Sequence, residues 1–530
     1  MTHRTFTVYF DEPAQMATAR TVAGGPQWRL FDAATWQPGF GILLAPLYAF
    51  IDDPSTVYRL AIVVNALLGG VAFMLLTLVG RELTGRRLAE CAGPAFVISL
   101  LPSSIVASAY VWSEQLLIVV TLATMLATMR FVRSSRLPTA LLSIALAAYG
   151  YLAHGRLLPL IAITTFIVGA TFVRARQWRN LGYSIGCAVA AMAIVMAISA
   201  AIRERIWTNP QDENTVGATL GRLRDPIAVL DAAIGQLWYL AVASLGFIVF
   251  GVLAAWRLMA SGDRRATVRV LTAYVLSSFA LSAVFMSGRT IRTDMLIYGR
   301  YNEAFIGPVL LIGWFEFVRR IAASQRSALA GACSTALTTA ALALTVHFLH
   351  GRELLEGEAF LLMVPALAAL DSTPGTRVLI PTVVSVTVLA ALFAVAWLCG
   401  ARSKVLTLTV TLVVAIGVLR VGSVITYAEE GDLSSSEISQ MRASVPPSES
   451  IVLRVIPANE SILYGPAKQR TRLQQYQFLV PEQRFDLELG LDGSSGQYVL
   501  APQLTTSLVR SDATILWDDP NSPMALWYVP

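Results

Sequence analysis

Charge is what this sequence has least of. Of its 530 residues only 14% are Asp, Glu, Lys or Arg, whereas 55% are hydrophobic, and the mean hydropathy is +0.61. A soluble domain carries about 25% charged residues, so most of this chain cannot face water. Its length alone would suggest several soluble domains, but the hydropathy points instead to a polytopic membrane protein. Lysine is nearly missing: Lys404 and Lys468 stand alone, so the formal +6, from 40 Lys+Arg against 34 Asp+Glu, is an excess of arginine scattered between apolar runs. The basic block that a nucleic-acid surface needs is absent, and no nucleic-acid partner is expected. Cys91, Cys187, Cys333 and Cys399 lie in apolar stretches without a C-x-x-C pair, which argues against a disulfide framework or a zinc site. His3, His154, His347 and His350 match no metal-ligand spacing, so no metal or other cofactor is expected.

What is present is a series of apolar runs. Taking about 17 to 25 residues as one crossing, spans are predicted at 57–80, 88–106, 113–133, 138–153, 156–173 and 180–202, then at 235–256, 266–287, 303–319, 327–348, 379–399 and 405–425. Every second connection is short and rich in arginine: Arg81, Arg86 and Arg87; Arg130, Arg133 and Arg136; Arg174, Arg176 and Arg179; Arg257, Arg264 and Arg265; Arg319, Arg320 and Arg326; Arg402 with Lys404. The positive-inside rule makes these loops cytoplasmic. Both flanking regions then face outside, which leads to the expectation of one further helix ahead of residue 1, because an external N-terminus needs an export signal. The stretch 38–51, with Pro38 and Pro46, is too short for a span and reads as a re-entrant or interfacial piece.

Beyond residue 425 the runs SIVLRVI, QYQFLV, GQYVLA and ATILW predict short strands. The expected class is therefore an all-α polytopic membrane protein of about 12 helices with a small C-terminal β-rich or α+β domain. Its divisions are a first extracytoplasmic loop at 1–56, a transmembrane domain at 57–425 and an extracytoplasmic domain at 426–530.

Charged residues on the outer face are the exceptions to the topology rule, and ionisable groups at membrane depth are functional candidates. Asp11 and Glu12 precede Pro13 at a helix start, where they either cap the helix or present a carboxylate to an external cleft. Glu114 opens a span after Trp112 and Ser113, either as a cap or as a site residue. His154 and Arg156 occupy a tight turn that needs polar residues in any case, yet would also suit a phosphate. The segment GRTIRTDMLIYGRYNEAF places Arg289, Arg292, Asp294, Arg300, Tyr301 and Glu303 before a span, and reads as an anion site at headgroup depth. In the loop 203–234, Arg203, Arg205, Arg222 and Arg224 are balanced by Glu204, Asp212, Glu213 and Asp225, which reads as a solvated loop.

In order along one face, Asp11-Glu12, the segment WQPGFGILLAPLYAF, the span opening YRLAIVVN from Arg59 to Asn65, and LPSSIVASAYVWSEQLL resemble the GT-C superfamily of membrane glycosyltransferases. The similarity is to the branch of protein O-mannosyltransferases and aminoarabinose transferases, which has one helix before the Asp-Glu loop. The resemblance implies an inverting membrane glycosyltransferase, and arginine in place of lysine almost throughout points to a GC-rich genome and hence a bacterial plasma membrane. The donor would be a polyprenyl-phosphate sugar, and the acceptor a cell-envelope glycan, lipid or protein at the outer leaflet. Asp11 would then be the general base, with Glu12 and Glu114 orienting hydroxyls. From topology, Arg300 and Arg292, followed by Arg59, Arg156 and Tyr301, are assigned to the phosphate, and His154 and Glu303 to substrate orientation. The alternative is a polytopic transporter or flippase for a lipid-linked or anionic substrate. That reading calls for ionisable groups near the bilayer midplane, where these spans have almost none.

Overall fold

The computed structural model describes residues 11–26, 28, 30, 37–207, 216–261, 264–287, 295–356, 364–371, 377–398, 403–428, 435–447, 449–455, 474–489, 497–502, 514–518 and 524–529. Helix α1 (Asp11–Val22) begins at the acidic pair and has Pro13 in its first turn. The chain leaves it through Gly24, whose φ of 77° favours glycine. Then come α2 (Gly39–Phe50), α3 (Pro54–Thr84), α4 (Leu88–Ser99), α5 (Pro102–Ala109), α6 (Glu114–Ser134) and α7 (Leu137–Ala153). A 3-10 turn at Gly155–Leu157 leads into α8 (Leu158–Arg174) and α9 (Trp178–Ile206). The second half contains α10 (Val216–Arg222), α11 (Pro226–Ala243), α12 (Phe247–Ser261), α13 (Arg265–Met286), α14 (Arg300–Ala323), α15 (Gln325–Glu356), α16 (Pro365–Leu370), α17 (Leu379–Leu398) and α18 (Ser403–Ala428).

Among the described residues, eight helices are long and apolar enough to cross a bilayer, or nine if the bent pair α4–α5 is one span. Four shorter apolar helices, Gly39–Phe50, Leu137–Ala153, Phe247–Ala260 and Thr407–Arg420, accompany them. The protein is thus an integral membrane protein whose membrane part is all-α. Against the twelve predicted spans, 138–153 and 405–425 fall on the shorter apolar helices and 303–319 lies in α14, which is in neither group; two further spans differ in shape. The segment 88–106 is bent by 66° between α4 and α5, where Pro102 supplies no backbone N–H. The segment 235–256 is two helices rather than one. They part at Ser244–Gly246, because Leu245 (φ 50°) and Gly246 (φ 78°) take left-handed conformations that no helix continues through. Helix α11 also starts earlier than predicted, with the Asp225 carboxylate accepting the Ala228 N–H at 3.0 Å. An acid read as balancing a solvated loop therefore caps a helix.

The predicted interfacial piece is α2, which lies against α1. A Cβ at Gly41 would stand 2.4 Å from Thr18 Cβ, so glycine is what permits this approach. The Gln15 side chain accepts the Gly41 N–H at 3.1 Å and locks the pair.

The C-terminal region contains α19 (Ser435–Ser444) and five strands: β1 (Ser450–Val455), β2 (Arg484–Leu489), β3 (Gln497–Pro502), β4 (Thr514–Asp518) and β5 (Met524–Val529). They form one mixed sheet in the order β2-β1-β3-β5-β4. Strands β1–β2 and β1–β3 are parallel, while β3–β5 and β5–β4 are antiparallel. The predicted strand QYQFLV is helical instead, over 474–479. Gln474, Gln475, Tyr476, Gln477 and Phe478 are all buried, and a strand's alternation of faces could not bury five residues in succession against one surface. That surface is α1. The buried Arg20 donates to the Gln477 carbonyl at 2.8 Å, and Trp28 Nε1 donates to Gln474 at 2.6 Å.

Candidate active site

Glu114, the first residue of α6, receives two guanidinium groups on one carboxylate oxygen. Arg300 Nη2 stands 2.6 Å and Arg156 Nη2 3.0 Å from Glu114 Oε1, and all three side chains are at most 9% exposed. Arg300 opens α14, and Arg156 lies in the 3-10 turn before α8. Each guanidinium also rests on an aromatic face: Arg300 lies 4.1 Å from the Trp112 ring centre and Arg156 4.9 Å from that of Tyr301. Planar, weakly hydrated guanidinium tolerates such burial better than an ammonium group. Arg156 Nε and Nη1 and Glu114 Oε2 make no hydrogen bond to the described residues.

One turn into α14, Glu303 accepts the Tyr239 hydroxyl at 2.6 Å. Gly299 permits this, because a Cβ there would overlap the Tyr239 ring. Glu114, Arg156, Arg300 and Glu303 line one cleft with Ser103, Ser104 and Trp112. Its free space is about 20 Å³, enough for a water and much too little for a sugar. Any larger substrate must open it.

A second set of residues holds this cleft in place. Asn65, wholly buried in α3, donates its amide to the carbonyls of Tyr110 at 2.6 Å and Trp112 at 2.9 Å, and more weakly to Ala107 at 3.4 Å. Glu12 Oε1 accepts the Tyr58 hydroxyl at 2.9 Å and the Val111 N–H at 2.8 Å. Gln115 donates to the Ser104 carbonyl at 2.6 Å. Asn65 and Glu12 thus fasten the turn 110–113 from two sides while Gln115 ties α6 to α5, and the turn carries the Trp112 ring and sets the start of α6. Tyr58, Asn65 and Gln115 lie in the quoted segments YRLAIVVN and LPSSIVASAYVWSEQLL, but the sequence alone assigns them no role. A polar residue within the apolar run IVVNALL was the available signal for Asn65.

The predicted site residues therefore separate into groups. Glu114, Arg156, Arg300 and Glu303 converge on the cleft, and His154 and Tyr301 adjoin it, with their rings 6.1 Å apart. Glu12 is fully buried behind it, fastened to the turn. Arg59 is exposed on α3 and does not line the cleft. Asp11 begins α1, but its side chain lies outside the described residues, as does all of Arg292.

His154 Nδ1 accepts the Arg156 N–H at 3.2 Å, a bond that only the unprotonated nitrogen can make. Burial first, and then the positive charges of Arg156 and Arg300, hold this imidazole well below its ordinary value of 6.5. Burial likewise lowers the Arg20 guanidinium to about 10.

No family model matches the sequence, and no curated protein matches it. The fold is matched in solved structures. The crystal structure of ArnT from Cupriavidus metallidurans bound to undecaprenyl phosphate superposes with a TM-score of 0.53 at 12% identity, covering 99% of this chain and 94% of that one. Its apo state gives 0.51 with the same identity and coverage. The arabinosyltransferase EmbB from Mycobacterium smegmatis gives 0.41 at 14% identity, over 80% of this chain and 39% of that one. The fold is thus shared with the ArnT crystal structures over almost the whole chain.

Proposed function

We propose that this protein is an inverting glycosyltransferase that moves a sugar from a polyprenyl-phosphate carrier to an acceptor hydroxyl at the extracytoplasmic membrane surface. The observation that carries the reading is the pair of buried guanidinium groups, Arg156 and Arg300, stacked on aromatic rings and meeting on Glu114 at a helix start. A fold shared with a protein that binds undecaprenyl phosphate supports the choice of carrier.

In the reaction, the acceptor hydroxyl gives its proton to the Asp11 carboxylate while its oxygen forms a bond to the anomeric carbon. The bond from that carbon to the phosphate oxygen breaks, and its electron pair leaves with the lipid phosphate. Charge grows on that oxygen, and fixed donors aimed at it lower the barrier. Arg300 and Arg156 supply them. The Arg156 Nε and Nη1 hydrogens are available, and Glu114 holds both cations in register until the phosphate arrives. Glu303 and His154 orient sugar or acceptor hydroxyls beside the cleft. Glu12 acts from behind, through the turn that carries Trp112. A transporter would place its ionisable groups within broken spans near the midplane. Here Glu114 and Arg300 are the first residues of their helices, which favours chemistry at one surface.

The test is a transfer assay on the purified full chain in lipid, with a panel of synthetic polyprenyl-phosphate sugars and an envelope extract as acceptor. Asp11→Asn is expected to abolish transfer while the protein stays folded and still binds undecaprenyl phosphate. Full transfer by this variant would remove Asp11 from the mechanism.

A further inference from the structure

A second charged cleft lies at the far ends of the same helices. α6 carries Glu114 at its first residue and Arg133 next to its last, about 28 Å apart at 1.5 Å per residue, close to the ~30 Å hydrocarbon thickness of a bilayer. α3 likewise has Tyr58 in its first turns and Glu82 in its last. Around Glu82, guanidinium groups from three regions distant in sequence line an open cleft of about 300 Å³: Arg81 in the last turn of α3 with Arg86 and Arg87 just after it, Arg133 in the last turn of α6, and Arg264 ahead of α13.

Two of these groups are held rigidly. Arg133 pairs with the Glu82 carboxylate and donates to the Glu82 carbonyl at 3.0 Å, and Arg264 donates to the same carbonyl at 3.4 Å. Gly85 (φ 74°) keeps the approach open, since a Cβ there would stand 2.9 Å from the Arg264 guanidinium. Arg86 lies over the Phe315 ring and reaches Glu90 at 3.0 Å. Arg81 approaches Glu82 only to 3.9 Å, and Arg87 has no ion pair among the described residues.

The orientation of a membrane protein requires basic residues on one side, not in one place. Gathering like charges opposes itself through Coulomb repulsion unless an anion is shared among them. Glu82 inside the cleft and Glu90 at its edge are two carboxylates against five guanidinium groups, so the cleft keeps an unmatched positive charge whose forked donors fit phosphate oxygens. Leu88, 40% exposed at the start of α4, borders the arginines with apolar surface, as a phosphate attached to acyl chains needs. We infer that this cleft binds the headgroup phosphate of an anionic phospholipid, on the membrane face opposite Glu114.

Native mass spectrometry of the full chain in detergent tests this with added phosphatidylglycerol or phosphatidylcholine of identical acyl chains. The wild type is expected to retain phosphatidylglycerol preferentially. Arg81→Ala/Arg87→Ala should weaken that retention by about 30-fold, from the usual worth of two basic residues at an anionic surface. Arg136→Ala, outside the cleft, should leave it unchanged. Should the double variant fail to fold, Arg87→Ala alone removes an exposed side chain and is expected to give a loss of about 5-fold. Equal retention of the two lipids by the wild type, or unchanged phosphatidylglycerol retention in the folded arginine variants, would overturn the inference. So would thermal stabilisation by inorganic phosphate without any lipid preference, since that assigns the cleft to a soluble anion.

Discussion

Asn65 donates its side-chain amide to the carbonyl of Trp112 at 2.9 Å, and Trp112 is the ring on which Arg300 lies. A single amide in α3 therefore helps to place the ring on which a cation at the start of α14 rests. The consequences of this arrangement can be measured.

Asn65→Leu removes the donor that gathers the Tyr110 and Trp112 carbonyls and leaves them buried without it. The expected cost is about 1–3 kcal/mol of stability. Transfer is expected to fall by up to about 100-fold, the usual effect of displacing a catalytic group by an ångström. Thermal unfolding in detergent and the transfer assay read the two separately. Asn65→Asp should be at least as damaging, because a carboxylate can only accept and would face three carbonyl oxygens.

Arg300→Lys keeps the charge but loses the fork that reaches Glu114 at 2.6 Å and the planar contact with Trp112. Transfer is expected to drop on the order of 100-fold, with undecaprenyl-phosphate affinity weakened as well. Near-normal turnover in this variant would show that the point charge alone suffices.

Glu114→Gln leaves Arg156 and Arg300 buried around a neutral amide. Breaking a buried ion pair from one side typically costs about 3–5 kcal/mol, so a lower Tm is expected together with lost transfer. If the two cations hold the carrier phosphate, undecaprenyl phosphate should raise the Tm of the variant by more than that of the wild type. An equal or smaller rise would place the phosphate elsewhere.

His154 is expected to remain neutral through mildly acidic pH, because its folded-state value is held well below 6.5. The sign follows from linkage. Above about pH 6.5 neither state binds this proton and its contribution is complete; as pH falls below that value the unfolded chain takes up the proton first, and stability is lost by at most about 1.4 kcal/mol per pH unit. His154→Gln should therefore flatten the dependence of Tm on pH between about 6.5 and 5. An unchanged slope would show that other groups set the acid sensitivity.

Much of the fold was legible because hydropathy is a property of short windows. The apolar runs mark α3, α6, α8, α9, α13 and α17 within a few residues, and the Asp11-Glu12-Pro13 sequence marks the start of α1. The division at Leu245 and Gly246 was not legible, since both residues fit an apolar run and only the backbone conformation separates α11 from α12. QYQFLV reads as a strand by composition, and its helical form buries it against Arg20, Trp28 and Tyr58.

The candidate site divides in the same way. By itself the sequence determined that this is a membrane protein, that arginine gathers at alternate connections, and that Glu114, Arg156 and Arg300 sit at the ends of apolar runs. Each of these follows from the cost of placing charge in hydrocarbon, which acts locally on every segment. Only the tertiary structure decided that Arg156 and Arg300 meet on a single oxygen of Glu114, that Glu12 fastens the Val111 turn, and that Arg59 stays outside the cleft. Those outcomes depend on how α3, α6, α8 and α14 pack against one another, and ion-pair geometry is fixed by that packing within a few ångströms, a scale that residue spacing along the chain does not encode.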